Sequence, residues 1–224
     1  MHLSSVVPWG RNLAEYQRMF GLTPRDLEGK ILGVGDGPAS FNAELSAKGG
    51  QVVSIDPIYK FSGQEIARRI DEITPVMRAE LNKHSANYLW KDFSDVDQLV
   101  ACRTSSMSIF LEDYEHGIRE GRYLEGVLPR LPASGVYDLA LCSHLLFLYE
   151  ENLNFEFHIN SLLEMCRVSD EARVYPLVNQ SGQQSRFLNP SLKRLNEAGY
   201  HCHVVQVGYC FQRGANEMLV IRRR

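Results

Sequence analysis

Three glycines and two aspartates stand where a strand-helix-strand unit would bring them to one ligand. Gly33, Gly35 and Gly37 follow a buried apolar run, and residues without a Cβ let the backbone turn sharply and approach a ligand closely. Asp56 ends the next apolar run, roughly 20 residues beyond Gly35, which is the spacing of the acid that binds ribose hydroxyls in dinucleotide folds. The combination predicts a nucleoside-containing cofactor; the alternative for the glycines is tight strand-helix packing.

The aspartate inside the glycine loop favours a cationic ligand over a pyrophosphate. Dinucleotide sites need G-x-G-x-x-G or a close variant, but counting from Gly33 the third position is Pro38, and counting from Gly35 it is Ser40. The carboxylate of Asp36 would repel a pyrophosphate and attract a ligand that bears sulfonium and ammonium groups. A second interpretation stays open, in which Asp36 caps the N-terminus of the following helix.

Alternating strands and helices must position these residues. Residues 30–34 form a buried apolar run typical of a strand, 39–48 have helical spacing that stops at two glycines, and 51–55 form a second apolar run. Such a unit predicts parallel strands joined by a right-handed crossover.

The remaining pattern continues this alternation to the end of the chain. Further strands are predicted at 88–90, 136–142, 172–177, 202–208 and 218–221, and helices at 12–20, 62–83, 107–131, 155–166 and 191–198. The last two strands are too close for a helical crossover and should form an antiparallel hairpin.

We therefore predict an α/β fold with a doubly wound, mostly parallel seven-stranded sheet that ends in an antiparallel hairpin. Residues 1–224 should form one Rossmann-like domain, with an N-terminal helical cap over 1–28 and a helical insertion over 94–131 before strand four. Ligands of such sheets bind at the carboxyl ends of the strands where the strand order reverses, so the loops after strands one, two and four should form the site.

Composition narrows the classes of function. A formal net charge of -3 provides no electrostatic attraction to nucleic acid, which is therefore disfavoured as a partner. No signal peptide or long apolar run is evident, so a soluble, cytoplasmic protein without a membrane partner is expected. The five cysteines are scattered, and His201 and His203 have no third ligand nearby in the sequence, so no metal site is predicted. The oligomeric state is left open.

Residues 31–38 and 53–56 resemble the first two motifs of class I S-adenosylmethionine-dependent methyltransferases, and the resemblance extends over most of the chain. It implies that S-adenosylmethionine is the cofactor. The cofactor-binding residues that we predict on this basis are Gly33, Gly35, Asp36, Gly37, Asp56, Pro57, Asp92, Phe93, Cys142 and Ser143. Asp92 would be the acid near the end of strand three that meets the adenine amino group, and 137–144 resembles the strand-four motif.

The chain departs from the family pattern at two positions of the first motif. Gly33 stands where the family commonly has an acid, and Ala39 stands where it has a third glycine. The methionine end of the cofactor should therefore be held in an unusual way, with Asp36 as a substitute acid.

Methyl transfer from a sulfonium is a direct displacement, in which the protein mainly aligns the acceptor and excludes water. His144 is the candidate catalytic residue, as a general base just after strand four; alternatively, it caps the following segment or touches the cofactor passively. The family signature for amino-group methylation is absent, which favours a small-molecule acceptor. The alternatives are an NAD-type Rossmann oxidoreductase and a non-catalytic regulatory domain that binds S-adenosylmethionine.

Aromatic and basic residues in the helical cap and the insertion are candidates for recognition of an aromatic or anionic acceptor. They are Trp9, Arg11, Tyr16, Tyr114 and Tyr123. The competing interpretation is that residues such as Tyr16 only anchor a helix on the core.

Overall fold

The structure is a computed structural model that describes residues 7–133 and 135–223. Its strands are β1 (Lys30–Val34), β2 (Gln51–Ile55), β3 (Tyr123–Leu124), β4 (Tyr137–Ser143), β5 (Ser169–Tyr175), β6 (Tyr200–Gln206) and β7 (Glu217–Arg223). Its helices are α1 (Leu13–Phe20), α2 (Pro24–Glu28), α3 (Phe41–Ser46), α4 (Gly63–Lys83), α5 (Val96–Arg119), α6 (Phe155–Val168) and α7 (Leu188–Glu197). In this described part of the chain, no helix combines the length and the apolar character needed to span a membrane.

The strands form one sheet in the order β3-β2-β1-β4-β5-β7-β6. β1 pairs in parallel with both β2 and β4, so the strand order reverses between β1 and β4. β7 is antiparallel to β5 and β6, which places the C-terminal hairpin at the sheet edge. The predicted fold, a doubly wound and mostly parallel seven-stranded sheet with an antiparallel end, is confirmed.

Helices cover both faces of the sheet because its strands are apolar on both sides. Ile31 packs with residues of α1 and α3 on one face, whereas its neighbour Leu32 packs with residues of α6 and α7 on the other. This alternation follows from the two-residue period of a strand, and burial on both faces is typical of parallel sheets.

The third strand is not where the sequence pattern placed it. Residues 88–90 form no strand of the sheet; Tyr88 makes only an isolated antiparallel bridge to Gln212, and its ring stacks on Phe211 at 4.7 Å. The third strand is the two-residue β3, which pairs in parallel with β2. The prediction was wrong because an aromatic cluster and a short strand look alike in a window of three residues.

The long helix predicted over 107–131 begins and ends earlier, at Val96 and Arg119, and it precedes β3. α5 therefore belongs to the connection between β2 and β3, together with α4, which continues through Pro75. The chain between β3 and β4 contains no helix among the described residues. Because no helix occupies this connection, the loop after β3 can reach the carboxyl edge of the sheet.

Helix α1 lies outside the strand-helix repeat and begins with a complete capping box. The Asn12 side chain accepts a hydrogen bond from the Glu15 amide, the Glu15 carboxylate accepts one from the Asn12 amide, and Gly21 ends the helix in a left-handed conformation. These local signals define the two ends of the helix. The helix packs on the sheet face that carries α3, where Tyr16 stacks on Phe41 at 4.2 Å.

Candidate functional site

A cavity of about 320 Å³ opens at the carboxyl edge of the sheet, at the point where the strand order reverses. Pairing in register aligns the ends of three strands, since Val34 of β1 is level with Ile55 of β2 and with Cys142 of β4. The residues that follow these ends must therefore meet. The predicted residues that line this main cavity are Gly35, Asp36, Gly37, Asp56, Pro57, Ser143 and His144.

Asp36 is buried in the loop after β1, with both carboxylate oxygens bonded. Oδ1 accepts a hydrogen bond from the Tyr16 hydroxyl at 2.8 Å, and Oδ2 accepts one from the Ser54 hydroxyl at 2.6 Å. Burial raises the pKa of Asp36 to about 6; the two hydrogen bonds oppose this shift, and the nearby charge of Asp56 adds to it. The side chain does not cap α3, which begins after Ser40 without a side-chain cap.

Gly33 lies behind this carboxylate and does not line the cavity. A Cβ on Gly33 would overlap Oδ2 of Asp36 and would lie 2.5 Å from its Cγ. Any side chain at position 33 therefore excludes the observed position of Asp36. The absence of a side chain at Gly33 is therefore what leaves room for the carboxylate of Asp36.

Asp56 directly follows β2, and its carboxylate bonds to the glycine loop and to the turn after β2. Its Oδ2 accepts a hydrogen bond from the Gly37 amide at 2.8 Å, and its Oδ1 accepts one from the Ile58 amide at 2.9 Å. Burial raises its pKa to about 6, against the effect of these two amides. Each oxygen has a second lone pair, so the carboxylate can still accept hydrogen bonds from ligand hydroxyl groups.

The backbone of the loop is turned by Gly35 and Gly37, whose φ angles of +69° and +56° lie in the left-handed region. The Gly35 amide donates to the Ile55 carbonyl at 2.8 Å, and the Tyr59 hydroxyl donates to the Gly37 carbonyl at 2.8 Å. These bonds tie the loop to β2 and to the turn after it, so both carboxylates are held by a fixed backbone.

His144 lies directly after β4 and has a left-handed backbone, with φ of +52°. This conformation is uncommon for a residue other than glycine and is often found at functional sites. Its amide donates to the Tyr175 carbonyl at 2.7 Å, and its Nδ1 lies 2.8 Å from Oγ of Ser143. Burial, and then the charges of Arg11 and Arg103, hold the pKa of His144 well below its ordinary value, so the imidazole is neutral.

The segment before α1 forms the opposite wall of the cavity. Gly10 packs so closely on the Pro38 carbonyl that a Cβ would overlap it, and the Ser40 amide donates to the Arg11 carbonyl at 3.1 Å. Trp9, Arg11 and Tyr16 all line the main cavity. Their positions are compatible with the predicted role of these residues in recognition of an acceptor.

The other two candidates of that set lie elsewhere. Tyr114 and Tyr123 are buried in a cluster with Phe110 and Tyr59, and their hydroxyl groups bond to protein atoms. For these two residues the structure supports the competing interpretation, in which they anchor helices to the core.

Four predicted cofactor-binding residues do not reach the main cavity. Asp92 is exposed and pairs with Arg18 at 3.0 Å, and Phe93 is buried against Phe211, because the third strand is not at 88–90. Cys142 is buried in the core on the face of α6, where burial raises the pKa of its thiol to about 12. Gly33 acts only by leaving room for Asp36.

An apolar wall of the cavity was missed by sequence reasoning. It consists of side chains from the loop after β3 and from the start of α6, together with the residue after His144: Val127, Leu128, Leu131, Leu145, Leu153 and Phe157. Nothing in their spacing distinguishes them from core residues; the local signal was Gly126, two residues after the end of β3.

The main cavity thus combines two buried carboxylates, a neutral imidazole and an apolar wall. Its volume lies within the range of small-molecule sites. Because both carboxylates titrate near pH 6, they are mostly ionised at neutral pH and favour a ligand with positive charge and hydroxyl groups. No group of three or more His, Cys, Asp or Glu side chains in the described residues could hold a metal ion.

Comparison with known proteins identifies one relative with extensive sequence similarity. An uncharacterized protein of Methanocaldococcus jannaschii is 33% identical over 225 aligned positions, which cover 100% of this chain and 99% of that protein. No profile of a described protein family matches the chain.

Among solved structures, magnesium protoporphyrin IX methyltransferase from Synechocystis PCC 6803, with bound S-adenosylmethionine, is 12% identical with a TM-score of 0.46. The alignment covers 95% of this chain and 74% of that one. An O-methyltransferase from neocarzinostatin biosynthesis, in complex with S-adenosylhomocysteine, is 12% identical with a TM-score of 0.49, over 94% of this chain and 54% of that one.

Proposed function

We propose that this chain, which belongs to the same family as the uncharacterized Methanocaldococcus jannaschii protein, is an S-adenosylmethionine-dependent methyltransferase that acts on a small molecule. One observation carries the proposal: the buried carboxylates of Asp36 and Asp56 face a single cavity at the switch point of a doubly wound sheet. Two anionic groups suit a cofactor with a sulfonium, an ammonium and a ribose.

The residues present fit that cofactor. Asp56 has the position and the free lone pairs to accept hydrogen bonds from ribose hydroxyls, and the apolar wall near Leu128 and Phe157 suits an adenine ring. Asp36 would bind the ammonium group of the methionine end. The same carboxylate would repel the pyrophosphate of NAD, which argues against the oxidoreductase alternative.

S-Adenosylmethionine would supply the methyl group: the acceptor's lone pair bonds to the methyl carbon, while the electron pair of the sulfur-carbon bond stays on sulfur. His144 lies at the edge of the main cavity and is neutral, so an acceptor that must lose a proton can transfer it to the imidazole. With Nδ1–H donating to Ser143 Oγ, the lone pair of Nε2 is the one available for that proton. The segment before α1 contributes Val7, Pro8, Trp9 and Arg11 to the walls of this cavity.

Calorimetry with S-adenosylhomocysteine and with NAD tests the cofactor assignment. We expect micromolar-range binding of S-adenosylhomocysteine and no binding of NAD. Asp56→Asn should weaken the binding by about 10- to 100-fold, because a charged acceptor of two hydroxyl hydrogen bonds is lost. Asp92→Asn, at a position that the sequence pattern also assigned to the cofactor, should bind as the wild type does.

Binding of NAD without S-adenosylhomocysteine would overturn the proposal. Transfer itself is tested by incubating the chain with cofactor labelled in the methyl group and a library of small metabolites. A labelled product supports catalysis, whereas binding without any transfer across the library favours the regulatory alternative. The cytoplasmic location remains a prediction.

A further inference from the structure

A second, smaller cavity of about 100 Å³ adjoins the main cavity. The two cavities share Val7, Trp9, Arg11 and His144, so they meet at the proposed general base. The walls of this side cavity include Tyr88 and Phe211, whose rings stack on each other. An apolar cavity that binds benzene measures roughly 150 Å³, so this space is smaller than such a site, and a ring held in it would extend toward the shared residues.

The two cavities differ in the balance of charge along their walls. The main cavity is lined by the carboxylates of Asp36 and Asp56 together with Arg11, whereas the side cavity is lined by Arg11 and Arg103 and, within the described chain, by no carboxylate. Because a charged ligand group is stabilised by opposite charge in a poorly solvated space, the main cavity favours a cation and the side cavity favours an anion.

Arg11 is the guanidinium whose charge no described residue neutralises directly. Arg103 forms a bidentate ion pair with Glu15, with Nη2 and Oε1 2.6 Å apart, whereas Arg11 forms no ion pair among the described residues. Its Nη1 donates to the Trp9 carbonyl at 3.1 Å, but its Nε is buried without an acceptor. Burial and then the charge of Arg103 lower the pKa of Arg11, although the Glu15 carboxylate that Arg103 binds opposes this shift.

A bound anion would correct both deficiencies. It would accept hydrogen bonds from Arg11, whose Nε now lacks an acceptor, and it would balance the excess positive charge beside His144. The aromatic walls favour a planar apolar body, and the residues that the two cavities share place that body next to the main cavity.

We propose that the side cavity binds the methyl acceptor, and that this acceptor is a small carboxylate with a planar apolar body whose charged group lies against Arg11. The inference rests on the proposed methyltransferase function and adds the class of substrate.

The test measures calorimetric binding of benzoate and of its neutral isostere benzamide to the full chain saturated with S-adenosylhomocysteine. Wild type should bind benzoate at least about tenfold more tightly than benzamide, as expected for a charge-assisted contact in a poorly solvated site. Arg11→Gln should lose this preference, and Arg11→Lys, which keeps the charge, should retain part of it. Arg18→Gln is the matched control, since Arg18 is exposed and lines neither cavity.

Equal binding of the two probes by the wild type would overturn the proposal, and this comparison does not depend on the folding of any variant. The same preference in a folded Arg11→Gln variant would also overturn it. A third result would reassign Arg11 to the cofactor: weaker binding of S-adenosylhomocysteine in Arg11→Gln, with unchanged binding of 5′-methylthioadenosine, which lacks the carboxylate.

Failure of the proposed function gives a different result. The wild type would then bind neither S-adenosylhomocysteine nor 5′-methylthioadenosine. In that case, calorimetric binding of benzoate and of benzamide, measured without either nucleoside, would still decide whether the side cavity selects an anion.

Discussion

At the scale of single residues, the buried charge of Asp36 should favour ligand binding but lower the stability of the unliganded chain. Its carboxylate is buried near that of Asp56, and its pKa of about 6 lies above the ordinary value of 3.8. The folded chain therefore holds the proton more tightly than the unfolded chain does. The resulting contribution to stability is fully present below about pH 4 and is lost as the pH rises through about 6.

Asp36→Asn should stabilise the unliganded chain and weaken cofactor binding. The neutral amide avoids the burial of a charge, so we expect the free energy of unfolding at about pH 7.5 to rise by about 1 to 3 kcal/mol. Affinity for S-adenosylhomocysteine should fall at least about tenfold, because the ammonium group loses its counter-charge. Urea denaturation and calorimetry measure the two effects.

The stability gain of Asp36→Asn should disappear at about pH 4, where the wild-type carboxyl is already protonated. Asp92→Asn, at an exposed aspartate outside the cavity, serves as the control and should change neither quantity appreciably. Unchanged affinity in Asp36→Asn would remove this residue from the proposed site.

Gly33→Ala tests whether the space at position 33 is needed to hold the carboxylate of Asp36. The new methyl group would overlap the Asp36 carboxylate, so that side chain must shift. We expect destabilisation of about 1 to 3 kcal/mol, together with a loss of S-adenosylhomocysteine affinity.

The control for this substitution is Gly208→Ala, because a Cβ at Gly208 meets no atom within 4 Å. Thermal denaturation and calorimetry compare the two variants. If Gly33→Ala keeps the stability and the affinity of the wild type, the loop can hold the Asp36 carboxylate in another position.

At the scale of elements, α1 joins the site to the scaffold although it lies outside the strand-helix repeat. It directs Tyr16 toward Asp36 and Glu15 toward Arg103 from two successive positions. Its capping box and its glycine end are local, so the helix forms where the sequence predicts; its docking against α3 aims the Tyr16 hydroxyl.

Tyr16→Phe should shift the pH dependence of cofactor binding upward. The hydroxyl of Tyr16 lowers the pKa of Asp36, so its removal should raise that pKa while the ring keeps its stacking on Phe41. If the ionised carboxylate is required, wild-type affinity for S-adenosylhomocysteine should fall as the pH drops through about 6, and the variant should lose affinity at a higher pH.

Calorimetry from about pH 5 to 8 locates the two midpoints that this prediction compares. Tyr137→Phe, at the opposite end of β4 and outside the main cavity, should behave as the wild type does. Identical midpoints for Tyr16→Phe and wild type would mean that Asp36 does not control the binding.

At the scale of the whole molecule, a buried ion pair ties distant parts of the chain together. Arg103 of α5 is 1% exposed and pairs with Glu15 of α1, whose Oε1 also accepts a hydrogen bond from the Tyr209 hydroxyl at 2.8 Å. Burial opposes the charge of Glu15, but Arg103 lowers its pKa below the ordinary value. Helix α5, helix α1 and the segment between β6 and β7 are thus coupled through one carboxylate.

Arg103→Met should destabilise the fold by about 3 to 5 kcal/mol, because it leaves the buried Glu15 carboxylate without its ion-pair partner. The double variant Glu15→Gln with Arg103→Met should recover part of this loss. Arg78→Met, which breaks an exposed ion pair with Asp97, should cost at most about 1 kcal/mol. Urea denaturation of the wild type, Glu15→Gln, Arg103→Met and the double variant gives the coupling energy; equal losses in Arg103→Met and the double variant would argue against an unpaired buried charge.

Much of the fold and part of the site could be predicted because their signals are local. The apolar runs of β1 and β2, the stop at Gly49 and Gly50, and the short spacing of the last two strands determine the parallel unit and the hairpin. Asp36, Asp56 and His144 could be placed together because each follows a strand that pairs in a predictable order.

The failures of prediction have the opposite character. Residues 88–90 have the composition of a strand, but the contact that decides their fate is with Phe211, far along the chain. Asp92 was displaced from the site for the same reason, and Cys142 points into the core because a strand alternates its faces. Local pattern carries no information about such distant partners.

The sequence by itself determined the alternation of strands and helices, the loop of glycines and the acids at the ends of β1 and β2. Only the tertiary structure decided that the Asp36 carboxylate occupies the space of a side chain at Gly33, that β3 is at Tyr123–Leu124, and that Arg11 lines two cavities. The physical reason is the range of the interactions: backbone hydrogen bonding and hydrophobic periodicity act between near neighbours, whereas cavity shape and the balance of buried charge depend on residues that meet only when the chain has folded.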